Sequence, residues 1–126
     1  MKTLLSYLAV AALIITSSFT VNQQQQLNQQ QSDNCFNSFR IHRQGKGVTL
    51  TWTVSSSDIT QFVVERSYDG EFFESANSID FNGSSSYKYT DKDIYPGVIY
   101  YRVVAVKSDG TTEYSSVESV RIVQHG

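Results

Sequence analysis

Val48-Thr49-Leu50-Thr51-Trp52-Thr53-Val54 alternates apolar and hydroxyl side chains without a break. Successive side chains of an extended chain point to opposite faces, so this period of two makes a strand with one apolar face and one threonine face. A helix would need a repeat near 3.6, which the stretch lacks. The chain on either side follows the same pattern. Residues 39–43 form a first short strand, ended by Gly45-Lys46-Gly47. Ser55-Ser56-Ser57-Asp58 is a loop, and residues 61–67 are a third strand turned by Tyr68-Asp69-Gly70. Residues 72–79 pair with that strand or lie at an edge. After Asn82-Gly83-Ser84-Ser85-Ser86 comes a strand at 87–90, then the longest at 98–107. Ser108-Asp109-Gly110 turns the chain into a last strand over 113–123. Strands at this spacing, with no helical period and no internal repeat, predict an all-β fold of about seven antiparallel strands in a sandwich.

The first residues differ in kind. Met1-Lys2 gives a positive start, residues 4–15 are mostly apolar, and Thr16-Ser17-Ser18 follows. This three-part pattern is that of a secretory signal, assigned to residues 1–20. Its apolar stretch falls short of the ~20 residues a spanning helix needs, although an uncleaved anchor is the competing reading. No other segment is apolar enough to span a bilayer. Residues 21–37 contain Asn22-Gln23-Gln24-Gln25-Gln26-Leu27-Asn28-Gln29-Gln30-Gln31. Such a tract buries too little apolar area to offset the entropy of ordering it, so it is expected to be a spacer. The folded domain is assigned to residues 38–124, and the protein to an exported location, secreted or in the cell envelope.

Ten Lys and Arg face twelve Asp and Glu. A mildly acidic chain with no basic run is a poor nucleic-acid partner. One cysteine, Cys35, rules out an intramolecular disulfide. It is expected to be a small half-buried residue or a flexible thiol before the domain, with an intermolecular disulfide as the alternative.

Trp52 on the second strand, followed by Ile94-Tyr95-Pro96-Gly97-Val98-Ile99-Tyr100, resembles the fibronectin type III pattern. That pattern is a core tryptophan followed much later by an aliphatic–x–Pro–Gly–x–x–Tyr corner. The resemblance spans about residues 38–124 and implies a seven-stranded antiparallel immunoglobulin-like sandwich with Trp52, Ile94, Pro96 and Tyr100 as structural residues. Pro96-Gly97 makes a tight turn, Ile94 caps the core, and Tyr100 buries its ring while its hydroxyl bonds nearby backbone. This phase also turns Arg102, Val104 and Val106 inward. The opposite phase would bury Tyr101, Val103 and Ala105, and Arg102 could pair with Glu65 or Asp109. A narrower likeness lies in Phe62-Val63-Val64-Glu65-Arg66-Ser67-Tyr68-Asp69-Gly70, Tyr100-Tyr101-Arg102-Val103 and Ser108-Asp109-Gly110. These are similar to a subgroup found in exported proteins of the Bacteroidetes type, often beside a C-terminal sorting domain. The last strand runs almost to Gly126, so no such neighbour is expected here.

Catalytic chemistry finds few residues to work with. His42 and His125 are the only histidines, and neither assembles a Ser–His–Asp order or, with Cys35, a zinc site. Asp91, Asp93 and Asp109 could offer oxygens to calcium, but Asp is also an ordinary turn residue. Asn82-Gly83-Ser84 matches a glycosylation sequon and reads equally as a turn. No cofactor or enzymatic activity is expected. The aromatic residues exceed what one small core can hold, since Tyr68, Phe72, Phe73, Tyr87, Tyr89, Tyr95, Tyr101 and Tyr114 cannot all be interior. Phe72, Phe73, Tyr101 and Tyr114 are the candidate surface contacts, and adjacent Phe72 and Phe73 must face opposite ways. The expected role is an exported binding module of the cell envelope or extracellular space, whose partner, a protein or a glycan, the sequence does not name. The alternatives are a carbohydrate-binding module, which a flat row of exposed tyrosines would favour, and a subunit that self-assembles through strand edges.

Overall fold

The period-two stretch at 48–54 folds as expected, with Val48, Leu50, Trp52 and Val54 almost fully buried. The computed structural model describes residues 34–124, so the expected signal segment and the glutamine tract lie outside the described residues. Within them the chain is all-β: β1 (Phe36–Gln44), β2 (Gly47–Val54), β3 (Ile59–Ser67), β4 (Glu74–Asp80), β5 (Ser86–Asp91), β6 (Gly97–Lys107), β7 (Thr112–Tyr114) and β8 (Glu118–Ile122). All pairings are antiparallel. One sheet has the order β1-β2-β5, and the other β4-β3-β6-β7 with β8 also on β6.

The inward positions of both sheets meet in one core. Trp52 and Tyr87 of the first sheet surround Phe62 of the second, with the Trp52 ring edge-on to Phe62 at 5.6 Å and Tyr87 at 4.6 Å from it. Val64, Ile99, Val103 and Ala105 complete the centre and are fully buried. Burial of each large side chain is worth about 1.5–3 kcal/mol, which makes this sandwich-like packing the main stabilising element.

Strand β1 begins at Phe36, ahead of the expected boundary at residue 38. Cys35 is therefore neither flexible nor half-buried. Its side chain is in the core, and its backbone N–H donates to Glu113 Oε1 at 2.7 Å.

The expected last strand is two. Ser115 lies between β7 and β8; its backbone N–H donates to the Val103 carbonyl while its Oγ accepts from the Val103 N–H at 2.8 Å. A side chain thus takes a ladder position that backbone would otherwise fill, and pairing with β6 resumes at Glu118.

The phase of β6 is opposite to the expected one. Ile99, Tyr101, Val103 and Ala105 face inward, whereas Tyr100 and Arg102 are only half-buried. A guanidinium cannot be buried without a partner, and the outer face supplies Arg102 with one, Glu65 Oε1 at 2.7 Å. Tyr101, expected at the surface, is fully buried, and Tyr100 is not the interior tyrosine of the corner. Trp52 is in the core, Ile94 packs half-buried against it, and Pro96 is exposed.

Candidate functional site

The turn Ser67-Tyr68-Asp69-Gly70 is fixed by its own side chains. Asp69 Oδ1 accepts hydrogen bonds from the N–H groups of Glu71 and Phe72 and from Ser67 Oγ, each at 2.9 Å. The Phe72 and Glu71 amides, followed by the Ser67 hydroxyl, hold the Asp69 carboxyl below the usual carboxylate range. Gly70 adopts φ 79°, which a side chain rarely tolerates. A Cβ there would also lie 3.3 Å from the Tyr100 ring. The result is a rigid turn from which Tyr68 and Phe72 project into solvent.

Beneath the turn is a buried charge cluster. Alternation along β3 sends Arg66 inward after Phe62 and Val64, and alternation along β5 sends Asp91 inward after Tyr87 and Tyr89. Arg66 Nη1 donates to both Asp91 oxygens, at 3.0 and 2.8 Å, and to the Asp93 carbonyl at 2.9 Å. Its Nη2 reaches Glu74 Oε1 at 3.3 Å. Burial alone would lower the Arg66 pKa, but the Asp91 carboxylate outweighs it and the net shift is upward. Tyr101 Oη donates to Asp91 Oδ2 at 2.8 Å, and burial followed by this bond raises the Tyr101 pKa. The Asp91 oxygens are thus engaged by Arg66 and Tyr101. Among the described residues no group of three or more His, Cys, Asp or Glu is placed to hold a metal ion.

Above this base lies an open cleft of about 360 Å³ lined by Arg66, Tyr68, Asp69, Phe72, Phe73 and Glu74. Phe72 is 78% exposed and Tyr95 68%. Tyr95 joins through Tyr68, whose ring lies 6.1 Å away at 48° and whose hydroxyl accepts the Tyr95 N–H at 3.2 Å. Three exposed aromatic rings therefore share one end of the domain on a braced scaffold.

No protein-family model matches the chain, and no curated protein does. Solved structures do. Pectate lyase PelI from Erwinia chrysanthemi, determined with tetragalacturonic acid, superposes with a TM-score of 0.57 at 16% identity, over 65% of this chain and 27% of that one. Pectate lyase Pel3 from Pectobacterium carotovorum gives 0.56 at 17% identity, over 70% and 27%. A β-1,2-glucanase from Parabacteroides distasonis gives 0.47 at 16%, over 74% and 14%, too low to carry weight. The likeness is one of fold. The chain spans about a quarter of the length of the two pectate lyases.

Of the expected surface contacts, only Phe72 stands at this end fully in solvent. The strand expected from residue 72 begins at Glu74, so Phe73, like Phe72, precedes it; Phe73 is half-buried, with the Arg102 guanidinium 4.1 Å from its ring centre. Tyr114 lies on the other side of the same guanidinium at 4.7 Å, so these two rings brace Arg102 on the outer face of the larger sheet. Tyr101 is interior. His42 is exposed on β1, and His125 lies outside the described residues. Asn82 caps its own loop, accepting from the Tyr87 hydroxyl and the Ser84 N–H. Sequence reasoning missed the Arg66–Asp91 pair and the place of Tyr95. The alternations 62-64-66 and 87-89-91 carried the first of these. Nothing local marked the second.

Proposed function

We propose that this chain is an exported, non-catalytic binding module of the fibronectin type III kind that engages a protein partner through Tyr68, Phe72 and Tyr95. Counting β7 and β8 as two halves of one strand gives seven strands in sheets of three and four, the number an immunoglobulin-like sandwich has. β4 sits beside β3 and not beside β5, which departs from the constant-type immunoglobulin order. Export rests on the segment 1–20.

The observation that carries the binding role is the exposure of Phe72, beside the turn held by Asp69, and of Tyr95, on the β5–β6 connection held by Arg66 through Asp91 and the Asp93 carbonyl. Protein interfaces draw most of their energy from a few aromatic anchors held rigidly before contact. A sugar ring is better served by a flat platform, and Tyr68 and Tyr95 are tilted by 48°. That tilt favours a protein partner at this end over a glycan. The test replaces Phe72 and Tyr95 with alanine in the tagged full-length chain and compares the envelope and secreted proteins retained by each form. A partner held by the native chain and lost from the folded variant supports the reading; identical retention counts against it.

A further inference from the structure

The two sheets differ sharply in charge. β1, the Gly45–Lys46 turn and β2 contain no Asp or Glu, and the single carboxylate of β5, Asp91, is turned inward onto Arg66. Every other described carboxylate lies on β3, β4, β7, β8 or in a loop. On the five-stranded sheet, Arg66, Arg102 and Lys107 each meet a carboxylate. Arg40, Lys46, Lys88 and Lys92, by contrast, are exposed and enter no ion pair among the described residues. These cations come from four separate places in the chain and form no run in the sequence. Pairing brings them to one surface.

The register lays that surface out in rows. Arg40, Thr51 and Lys88 are cross-strand neighbours, as are His42, Thr49 and Thr90, and Ser38, Thr53 and Ser86. With strands about 4.8 Å apart, Arg40 and Lys88 stand roughly 10 Å from each other across the sheet. Thr51 stands between them, and the hydroxyls of the flanking rows are paired: Ser38 Oγ and Thr53 Oγ1 are 2.7 Å apart, while Thr49, fully buried, donates to Gln44 Oε1 at 2.7 Å and lies 3.0 Å from Thr90 Oγ1. Two shallow grooves share Lys88. One, of about 650 Å³, runs between Gln44, Lys46, Thr90 and Lys92. The other, of about 290 Å³, follows Ser38, Thr51, Thr53 and Ser86. Together they form a trough floored by hydroxyls and edged by cations.

We infer that this trough binds an acidic polysaccharide, lying across β1, β2 and β5. Carboxylates or sulfates along such a chain match the unpaired lysines and arginine, and the hydroxyls of Ser38, Thr51, Thr53 and Ser86 offer hydrogen bonds to its ring hydroxyls. Other polyanions fit less well. The exposed large hydrophobic residues all lie elsewhere, so nothing here inserts into a bilayer. No exposed aromatic ring is present for nucleobases to stack on. An acidic protein would find no aromatic anchor on this face. The trough shares no lining residue with the aromatic cleft, and its occupancy does not depend on the role proposed there.

The test uses the full chain with sodium polygalacturonate as the acidic polymer. Dextran, a single-stranded oligonucleotide and phosphatidylserine vesicles serve as comparison probes. Binding to the polyuronate at about 50 mM salt is expected, falling about tenfold or more by about 200 mM as the counterions are no longer released to advantage. Dextran should not bind. Arg40→Gln/Lys46→Gln/Lys88→Gln/Lys92→Gln should lose about tenfold or more of the affinity with an unchanged melting temperature, since all four side chains are exposed. Phe72→Ala should bind the polymer normally. Absence of polyuronate binding at low salt overturns the inference, as does equal binding to dextran or undiminished binding by the quadruple variant. Stronger binding to the oligonucleotide or the vesicles than to the polyuronate overturns it as well.

Discussion

Tyr101 donates its hydroxyl hydrogen to Asp91 Oδ2 across 2.8 Å, inside the core and ten residues along the chain. This bond joins the end of β5 to β6, and with Arg66 on β3 it ties the buried carboxylate of the smaller sheet to two strands of the larger one. Tyr101→Phe removes a hydrogen bond to a charged acceptor and is expected to cost about 1.5–3 kcal/mol. Tyr100→Phe, on the half-exposed face, should stay within about 0.5 kcal/mol. Urea unfolding of the two variants checks the order. A larger loss at Tyr100 than at Tyr101 would contradict the observed phase of β6.

Asp91→Ala leaves Arg66 as a buried cation held only by Glu74 and the Asp93 carbonyl. Breaking one half of a buried pair typically costs about 3–5 kcal/mol, a large share of the stability of a small domain. The variant should be partly unfolded at 37 °C by circular dichroism. Glu74→Ala removes the exposed partner of the same arginine and should cost about 1 kcal/mol or less.

The Cys35 thiol is pushed up to about 12, first by burial and then by the neighbouring Glu113 carboxylate. In the unfolded chain a thiol titrates near 8.5, as a rough reference. Between about pH 8.5 and 12 the unfolded chain releases a proton that the folded chain keeps. Stability should therefore fall as pH rises through that window, by at most ~1.4 kcal/mol per unit from this group. Below it the thiol has no effect. Cys35→Ala should flatten the alkaline slope of melting temperature against pH, and native Cys35 should resist a thiol reagent at pH 8 until denaturant is added.

Gly70→Ala forces a side chain into φ 79° and against the Tyr100 ring. A loss of about 1–3 kcal/mol is expected from a backbone strain of this kind. Asp69→Ala releases the amides of Glu71 and Phe72 and loosens the turn that displays Phe72. It should weaken partner binding more than it lowers the melting temperature.

Much of this architecture was legible in residues 48–54 and in the spacing of the turn residues, because a period of two is a local property of an extended chain. The phase of β6 was harder to read. The Pro96-Gly97 corner pointed to Tyr100, while Arg102 two residues on pointed the other way, and the cost of burying a guanidinium decided the outcome. The split of the last strand depends on a contact from Ser115 to Val103 that no local pattern marks. The charged face was invisible for a related reason. Arg40, Lys46, Lys88 and Lys92 are scattered in sequence, and only the pairing of β1 and β5 on either side of β2 gathers them. Among the aromatic residues, Phe72 and Phe73 precede β4, so strand alternation does not set their exposure, and the partnership of Tyr68 with Tyr95 likewise depends on tertiary contact.

The central claim is that rigidly held aromatics at one end of the domain bind a protein. Its most direct test is the affinity of the captured partner for the native chain and for Phe72→Ala/Tyr95→Ala, with Arg40→Gln/Lys88→Gln as a distant control. The account predicts a loss of about tenfold or more for the aromatic variant, as expected when interface anchors are truncated. It predicts unchanged melting temperatures and near-native affinity for the control. Equal affinities for the native chain and the aromatic variant, with both folded, would contradict it.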